Sequence, residues 1–144
     1  MVIQSKPRSY QPHLPATLVL VTNQFACDRL IRVGRRLADF SSTELRVLTV
    51  MDPKQIQQSE NALEYLFGVS REHGAVLEVL YSDNPKKEII AAIKNSKISN
   101  VVTGEPENED SILYQFYQTF LHINFFTVSR EGQAQEVRLI RQNA

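Results

Sequence analysis

The chain has 144 residues, long enough for one domain with a buried core, and 42% of them are hydrophobic, as in a globular protein rather than a disordered one. Sixteen basic and sixteen acidic side chains cancel, so no broad charged surface invites nucleic acid or an anionic membrane. The single cysteine, Cys27, excludes an intramolecular disulfide and a thiolate metal cluster, and with no signal-like start or membrane-length apolar run the expectation is a soluble, cytoplasmic protein.

Residues 1–16 contain Pro7, Pro12 and Pro15 and little apolar periodicity, which predicts an extended arm ahead of a single domain over 17–144. Thr17-Leu-Val-Leu-Val-Thr22 is a continuous apolar, β-branched run, the pattern of a strand buried on both faces. Residues 25–40 follow with helical spacing: Leu30, Val33, Leu37 and Ala38 share one face, and Arg29, Arg32 and Arg36 another. Ser41-Ser42 breaks that helix, and Leu45–Val50 reads as a second strand.

Asp52-Pro53 marks a turn into a helix over about 55–73, with Ala62, Leu63, Leu66, Phe67 and Ser70 in register and His73-Gly74 as its stop. Ala75–Tyr81 is a third strand, and Asn84-Pro85 opens a helix that turns Ile89, Ile90 and Ile93 inward. Ile98–Thr103 is a fourth strand, Asp110–His122 a fourth helix and Ile123–Val128 a fifth strand. Beyond the turn-like Glu131-Gly132, Gln135–Arg141 reads as a further strand, either antiparallel to the fifth or reaching to a partner subunit. Strands alternating with helices long enough for right-handed crossovers predict an α/β, doubly wound, five-stranded parallel sheet with helices on both faces. Comparison with known folds supplies the strand order 3-2-1-4-5.

In such a sheet, ligands sit where the strand order reverses, at the carboxyl ends of the first and fourth strands. The first ends at Thr22-Asn23 and the fourth at Gly104-Glu105. Asn23 reads either as a hydrogen-bonding group for a purine or ribose, or as a cap on the following helix. Gly104 either admits a ligand closely or simply lets the chain turn. Glu105, Glu107, Glu109 and Asp110 either hold Mg²⁺ or a basic protein partner, or complement the dipole of the fourth helix. Arg29, Arg32, Arg35 and Arg36 are either an anion-binding face or a solvated one. Cys27 is either a thiol activated by the helix dipole or a small buried side chain. His13, His73 and His122 lack metal-ligand spacing, and no serine has a nucleophile's companions, so the expectation is no enzyme.

Over residues 17–129 the chain resembles the universal stress proteins, and is especially similar to the stress-protein-like cytoplasmic domain of potassium-responsive sensor histidine kinases. The stretches that carry the resemblance are Leu18–Asn23, Leu30–Asp39, Leu45–Val50 and Asn100–Gly104. It implies an adenine-nucleotide-hydrolase-like fold. In members that bind ATP, an aspartate ends the first strand, main-chain groups at the end of the second contribute, and a Gly-x2-Gly-x9-Gly-Ser/Thr loop follows the fourth. Carried over, the site residues are Thr22 and Asn23 (Asn23 at the aspartate position), Val50, Met51 and Asp52, and Gly104 with Glu105. Glu107 stands where the second glycine belongs, and no Gly-Ser or Gly-Thr follows. Bulky side chains there obstruct backbone contact with phosphates.

The resemblance therefore implies a non-enzymatic signalling or interaction domain with a degenerate nucleotide site and no cofactor. The alternatives are a small stress-response protein binding ATP, AMP or a cyclic dinucleotide, and a purely structural assembly unit. Aromatic residues crowd the end of the chain (Tyr114, Phe116, Tyr117, Phe120, Phe125, Phe126). Together with the resemblance they lead to the expectation of a homodimer through the fifth strand and C-terminal segment. A protein partner is expected at the acidic loop.

Overall fold

The computed structural model describes the backbone of residues 2–5 and the whole of residues 14–106 and 112–137. Its strands are β1 (Val2–Ser5), β2 (Ala16–Leu20), β3 (Glu44–Met51), β4 (Val76–Tyr81), β5 (Ile98–Gly104), β6 (Asn124–Val128) and β7 (Ala134–Glu136). The helices are α1 (Asp28–Ser41), α2 (Glu60–Glu72), α3 (Pro85–Lys94) and α4 (Ile112–Thr119). One seven-stranded sheet runs β1-β4-β3-β2-β5-β6-β7. Its inner five strands are parallel, in the expected 3-2-1-4-5 order, and an antiparallel strand closes each edge.

Side-chain alternation along the strands divides the core in two. Val19, Val47, Leu77, Val79 and Val102 meet Leu30, Ile31, Val33 and Leu66 of α1 and α2 on one face. Leu18, Leu20, Leu48, Val101 and Phe125 meet Ile93 of α3 and Phe116 and Tyr117 of α4 on the other. That double burial is why β2 reads as an unbroken apolar run. Gly34 brings α1 onto the sheet: a Cβ there would lie 2.5 Å from Val19 Cγ2 and 3.0 Å from Leu45 Cδ1.

The helix ends follow local chemistry. Ser42, at φ 55°, adopts the left-handed conformation that stops α1, and Gly74, at φ 63°, follows α2. Asn84 accepts a hydrogen bond from Lys87 N at 3.2 Å, with Pro85 in the first turn of α3. Two predicted helices begin later than their periodicity suggests, because short 3-10 turns at Gln24–Ala26, Pro53–Gln55 and Gln57–Ser59 precede them. The start of the predicted fourth helix, Asp110 and Ser111, lies outside the described residues.

One edge departs from expectation, and the other takes the first of the two arrangements expected for it. The predicted N-terminal arm contains β1, whose residues pair antiparallel with β4 from Val2↔Leu80 to Ser5↔Leu77. The free ladder of β4 supplies the partner, and nothing local to Val2–Ser5 announces it. At the other edge, β7 pairs antiparallel with β6 within the same chain, from Phe126↔Glu136 to Val128↔Ala134. Residues 138–141 of the predicted strand lie outside the described ones. The outer edge of the fifth predicted strand, β6, is therefore already covered, so pairing between copies at that side would use β7.

The aromatic cluster belongs mostly to the core. Phe116, Tyr117 and Phe125 are buried, and Phe120 and Phe126 pack against the core, leaving Tyr114 exposed. Tyr117 meets Phe125 edge-on at 5.0 Å between ring centroids. Opposite the carboxyl ends of the strands, a polar network ties β2, β5 and β6 to the end of α1. Asn100 Nδ2 donates to Thr17 Oγ1 at 3.0 Å and Ser41 Oγ at 3.2 Å, and Asn100 Oδ1 accepts from Asn124 Nδ2 at 3.4 Å.

Candidate functional site

The parallel order reverses between β2 and β5, and there the chains leave the sheet in opposite directions, opening a crevice. The crevice is a cleft of about 800 Å³. One bank is Thr22, Asn23 and Ala26, the other is Gly104, Glu105 and Pro106, and Arg29, Leu30, Val128, Arg130 and Glu131 complete it. Four sequence-predicted residues thus come together: Thr22, Asn23, Gly104 and Glu105.

Val50, Met51 and Asp52 do not line this cleft. Met51 is buried in the α1/α2 core, and Val50 packs against the α3/α4 core. Asp52 Oδ1 accepts from Lys54 N at 2.9 Å, capping a 3-10 turn. The turn Gln24–Ala26 occupies the ground between the ends of β2 and β3. Gln24 Nε2 donates to Thr49 Oγ1 at 2.7 Å, and the Phe25 ring lies against Tyr65 of α2 in a tilted pair, 6.3 Å between centroids.

Asn23 acts as a cap, though on that 3-10 turn rather than on α1: its Oδ1 accepts from Phe25 N at 3.1 Å. Its Nδ2 makes no hydrogen bond to a described residue and stays available at the cleft. Gly104 has ordinary backbone geometry, and a Cβ there would stand 3.5 Å from Arg29 Nη2. That is an ordinary van der Waals distance, so at the Cβ neither the turn nor the guanidinium above it demands a glycine at 104.

Arg29 is the residue whose role the sequence concealed. Its Nε donates to Ser129 O at 3.0 Å and its Nη1 to Ala26 O at 2.7 Å, so one guanidinium clamps the turn after β2 to the end of β6. The other arginines of α1 point elsewhere: Arg35 donates to Asp39 Oδ1 at 2.7 Å and to His73 O at 2.8 Å, while Arg32 and Arg36 face solvent. Arg130 and Glu131 sit in the turn between β6 and β7, which is closed by Ser129 N to Gln133 O and Gly132 N to Ser129 O, both at 2.9 Å. Arg130 makes no hydrogen bond or ion pair with a described residue. A charged pair beside Gly132 was the only sequence signal for this wall of the cleft.

Cys27 corrects one alternative. It is buried at the start of α1, and its thiol is pushed up to about 11 by burial and then by the charge of Asp28, the reverse of dipole activation. The neighbouring Tyr65 hydroxyl donates to Asp28 and is raised to about 12 chiefly by that bond. Glu107, Glu109 and Asp110 of the acidic loop lie outside the described residues. Among the described residues, no group of three or more His, Cys, Asp or Glu is placed to hold a metal ion. No helix among them is long and apolar enough to cross a membrane. A second, smaller cavity of about 290 Å³ lies under α3, where Arg46, Glu78 and Glu88 stand among apolar side chains.

No protein-family model matches the sequence, and no curated protein is significantly similar to it. Solved structures do match. A universal stress protein from Archaeoglobus fulgidus superposes with a TM-score of 0.58 at 14% identity, over 73% of this chain and 87% of that one. The universal stress protein from Archaeoglobus fulgidus in complex with dAMP gives a TM-score of 0.56 at 13% identity, over 83% of this chain and 98% of that one. At such identities the likeness is one of backbone architecture, and the chain has the fold of the universal stress proteins.

Proposed function

We propose that this chain is a universal-stress-protein-like, non-enzymatic signalling domain that binds an adenine nucleotide at the switch point between β2 and β5. The observation that carries the reading is the cleft of about 800 Å³ at that point, with Arg29 and Arg130 in its lining. A dAMP complex of a protein with this fold supports the ligand class. Binding alone is the proposed chemistry: the cleft brings Asn23 and two guanidinia to a ligand, and its described residues place no nucleophile beside a general base. The nucleotide is a signal rather than a cofactor. The proposed setting is cytoplasmic, and the sensor-kinase resemblance suggests osmotic or potassium signalling.

Isothermal titration with AMP, ATP with Mg²⁺, and a cyclic dinucleotide tests this. Micromolar binding of an adenine nucleotide, about −8 kcal/mol, is expected. At a hundredfold excess over Kd it stabilises the fold by about 2.7 kcal/mol and raises Tm. Absence of both heat and a thermal shift with all three would refute the reading.

A second reading, association with another copy, is favoured by the β7 end of the sheet. β7 is the terminal strand, and Tyr114 and Leu121 beside it are exposed. A homodimer through β7 and α4 is proposed on that ground, and light scattering coupled to size exclusion at micromolar concentration tests it. A monomer throughout would sink it.

A further inference from the structure

Phosphates in α/β crevices are usually met by a row of backbone N–H groups after a strand, commonly in a glycine loop. After β5 this chain has Gly104-Glu105-Pro106. Proline has no N–H to donate, and Glu105 sets a carboxylate at the same bank. A polyphosphate laid along this bank meets one negative charge and lacks the donor that a glycine at 106 would offer.

The donors stand on the opposite side. Two backbone carbonyls hold the guanidinium of Arg29, Ser129 O at 3.0 Å from Nε and Ala26 O at 2.7 Å from Nη1. Nη2 is left over Gly104 and makes no hydrogen bond to a described residue. Bonds to neutral carbonyls orient the guanidinium without cancelling its charge. The carbonyl of Ser129 also begins the β6–β7 turn that carries Arg130 into the same cleft. The described charges of the cleft are Arg29, Arg130, Glu105 and Glu131, which sum to zero. Two guanidinia match one dianionic phosphate, and among the described charged groups of the cleft only carboxylates remain for the further charges of a triphosphate.

We propose that the switch-point cleft selects a nucleoside monophosphate over the triphosphate, with Arg29 and Arg130 gripping the phosphate in place of a glycine loop. The inference rests on the nucleotide-binding reading above.

Titrate the full chain with adenosine, AMP and ATP, with and without Mg²⁺, and repeat with Arg130→Gln, which alters an exposed turn residue. AMP is expected to bind about tenfold more tightly than either adenosine or ATP, weakening as salt rises. Arg130→Gln should weaken AMP about tenfold and leave adenosine within about twofold. Arg29→Lys, which keeps the charge but loses the planar fork, should also weaken AMP. ATP binding as tightly as AMP, or AMP affinity unchanged in Arg130→Gln, overturns the proposal while leaving adenine binding intact. Absence of binding by all three compounds would instead remove the nucleotide reading itself, and this inference with it.

Discussion

Replacing Gly34 with alanine places a methyl group at the point where α1 comes nearest to β2. Its Cβ would stand 2.5 Å from Val19 Cγ2 and 3.0 Å from Leu45 Cδ1. Val19 is wholly buried and Leu45 is 1% exposed, so neither side chain has open space to move into. Either α1 lifts from the sheet, opening gaps along Leu30, Ile31 and Val33, or Val19 leaves its rotamer. Such overpacking costs about 1–3 kcal/mol, while alanine returns about 1 kcal/mol of helix propensity. The expected net is a loss of about 1 kcal/mol. Gly68 supplies the control, because it lies in α2, is exposed, and a Cβ there meets nothing within 4 Å. Gly68→Ala should therefore gain about 0.5–1 kcal/mol. Urea unfolding of both variants should separate them by about 2 kcal/mol, with opposite signs relative to the parent chain. If Gly34→Ala proved as stabilising as Gly68→Ala, α1 would not be held at the distance described.

Three further outcomes follow from buried polar groups. The Cys27 thiol, raised from 9.0 to about 11 by burial, stays neutral in the folded chain after the unfolded one has ionised. Its stabilisation is complete below about pH 9 and is lost as pH rises toward 11, so the urea midpoint should fall across that window and fall less in Cys27→Ala. An equal decline in both proteins would rule out the thiol as the cause. The buried Tyr117 hydroxyl makes no hydrogen bond with a described residue, and the nearby Thr103 hydroxyl gives its own hydrogen to Gly104 O at 2.8 Å. Tyr117→Phe should hold stability constant or raise it by up to about 1 kcal/mol, and a loss larger than that in thermal unfolding would mean the hydroxyl is bonded. Asn100→Ala strips the buried Thr17 of a donor at 3.0 Å and should cost about 2–3 kcal/mol, with a double-mutant cycle against Thr17→Val showing coupling. Additive effects in that cycle would contradict the network.

The amino-acid sequence alone determined the α/β class, the five inner strands and four helices, and most of their inward faces. These are properties of short windows: an unbroken apolar run at Thr17–Thr22, a helical stripe through Leu30, Val33 and Leu37, a proline at 85 or a glycine at 74. The 3-2-1-4-5 order came from likeness to known folds, and the structure has that order. Thr22, Asn23, Gly104 and Glu105 were likewise legible, because a switch point lies at strand ends that the sequence marks. Tertiary structure alone decided the rest. β1 forms because β4 has a free edge, a fact encoded more than seventy residues away from Val2. Val50, Met51 and Asp52 miss the cleft because the Gln24–Ala26 turn packs on Thr49 and Tyr65. Arg29 looks like any solvated arginine on a helix face, and becomes part of the cleft only because the β6–β7 turn brings Ser129 O within 3.0 Å, a hundred residues along the chain. Periodicity reports which face of an element is apolar. Which carbonyl a long polar side chain meets depends on how the elements pack, and no local pattern carries that information.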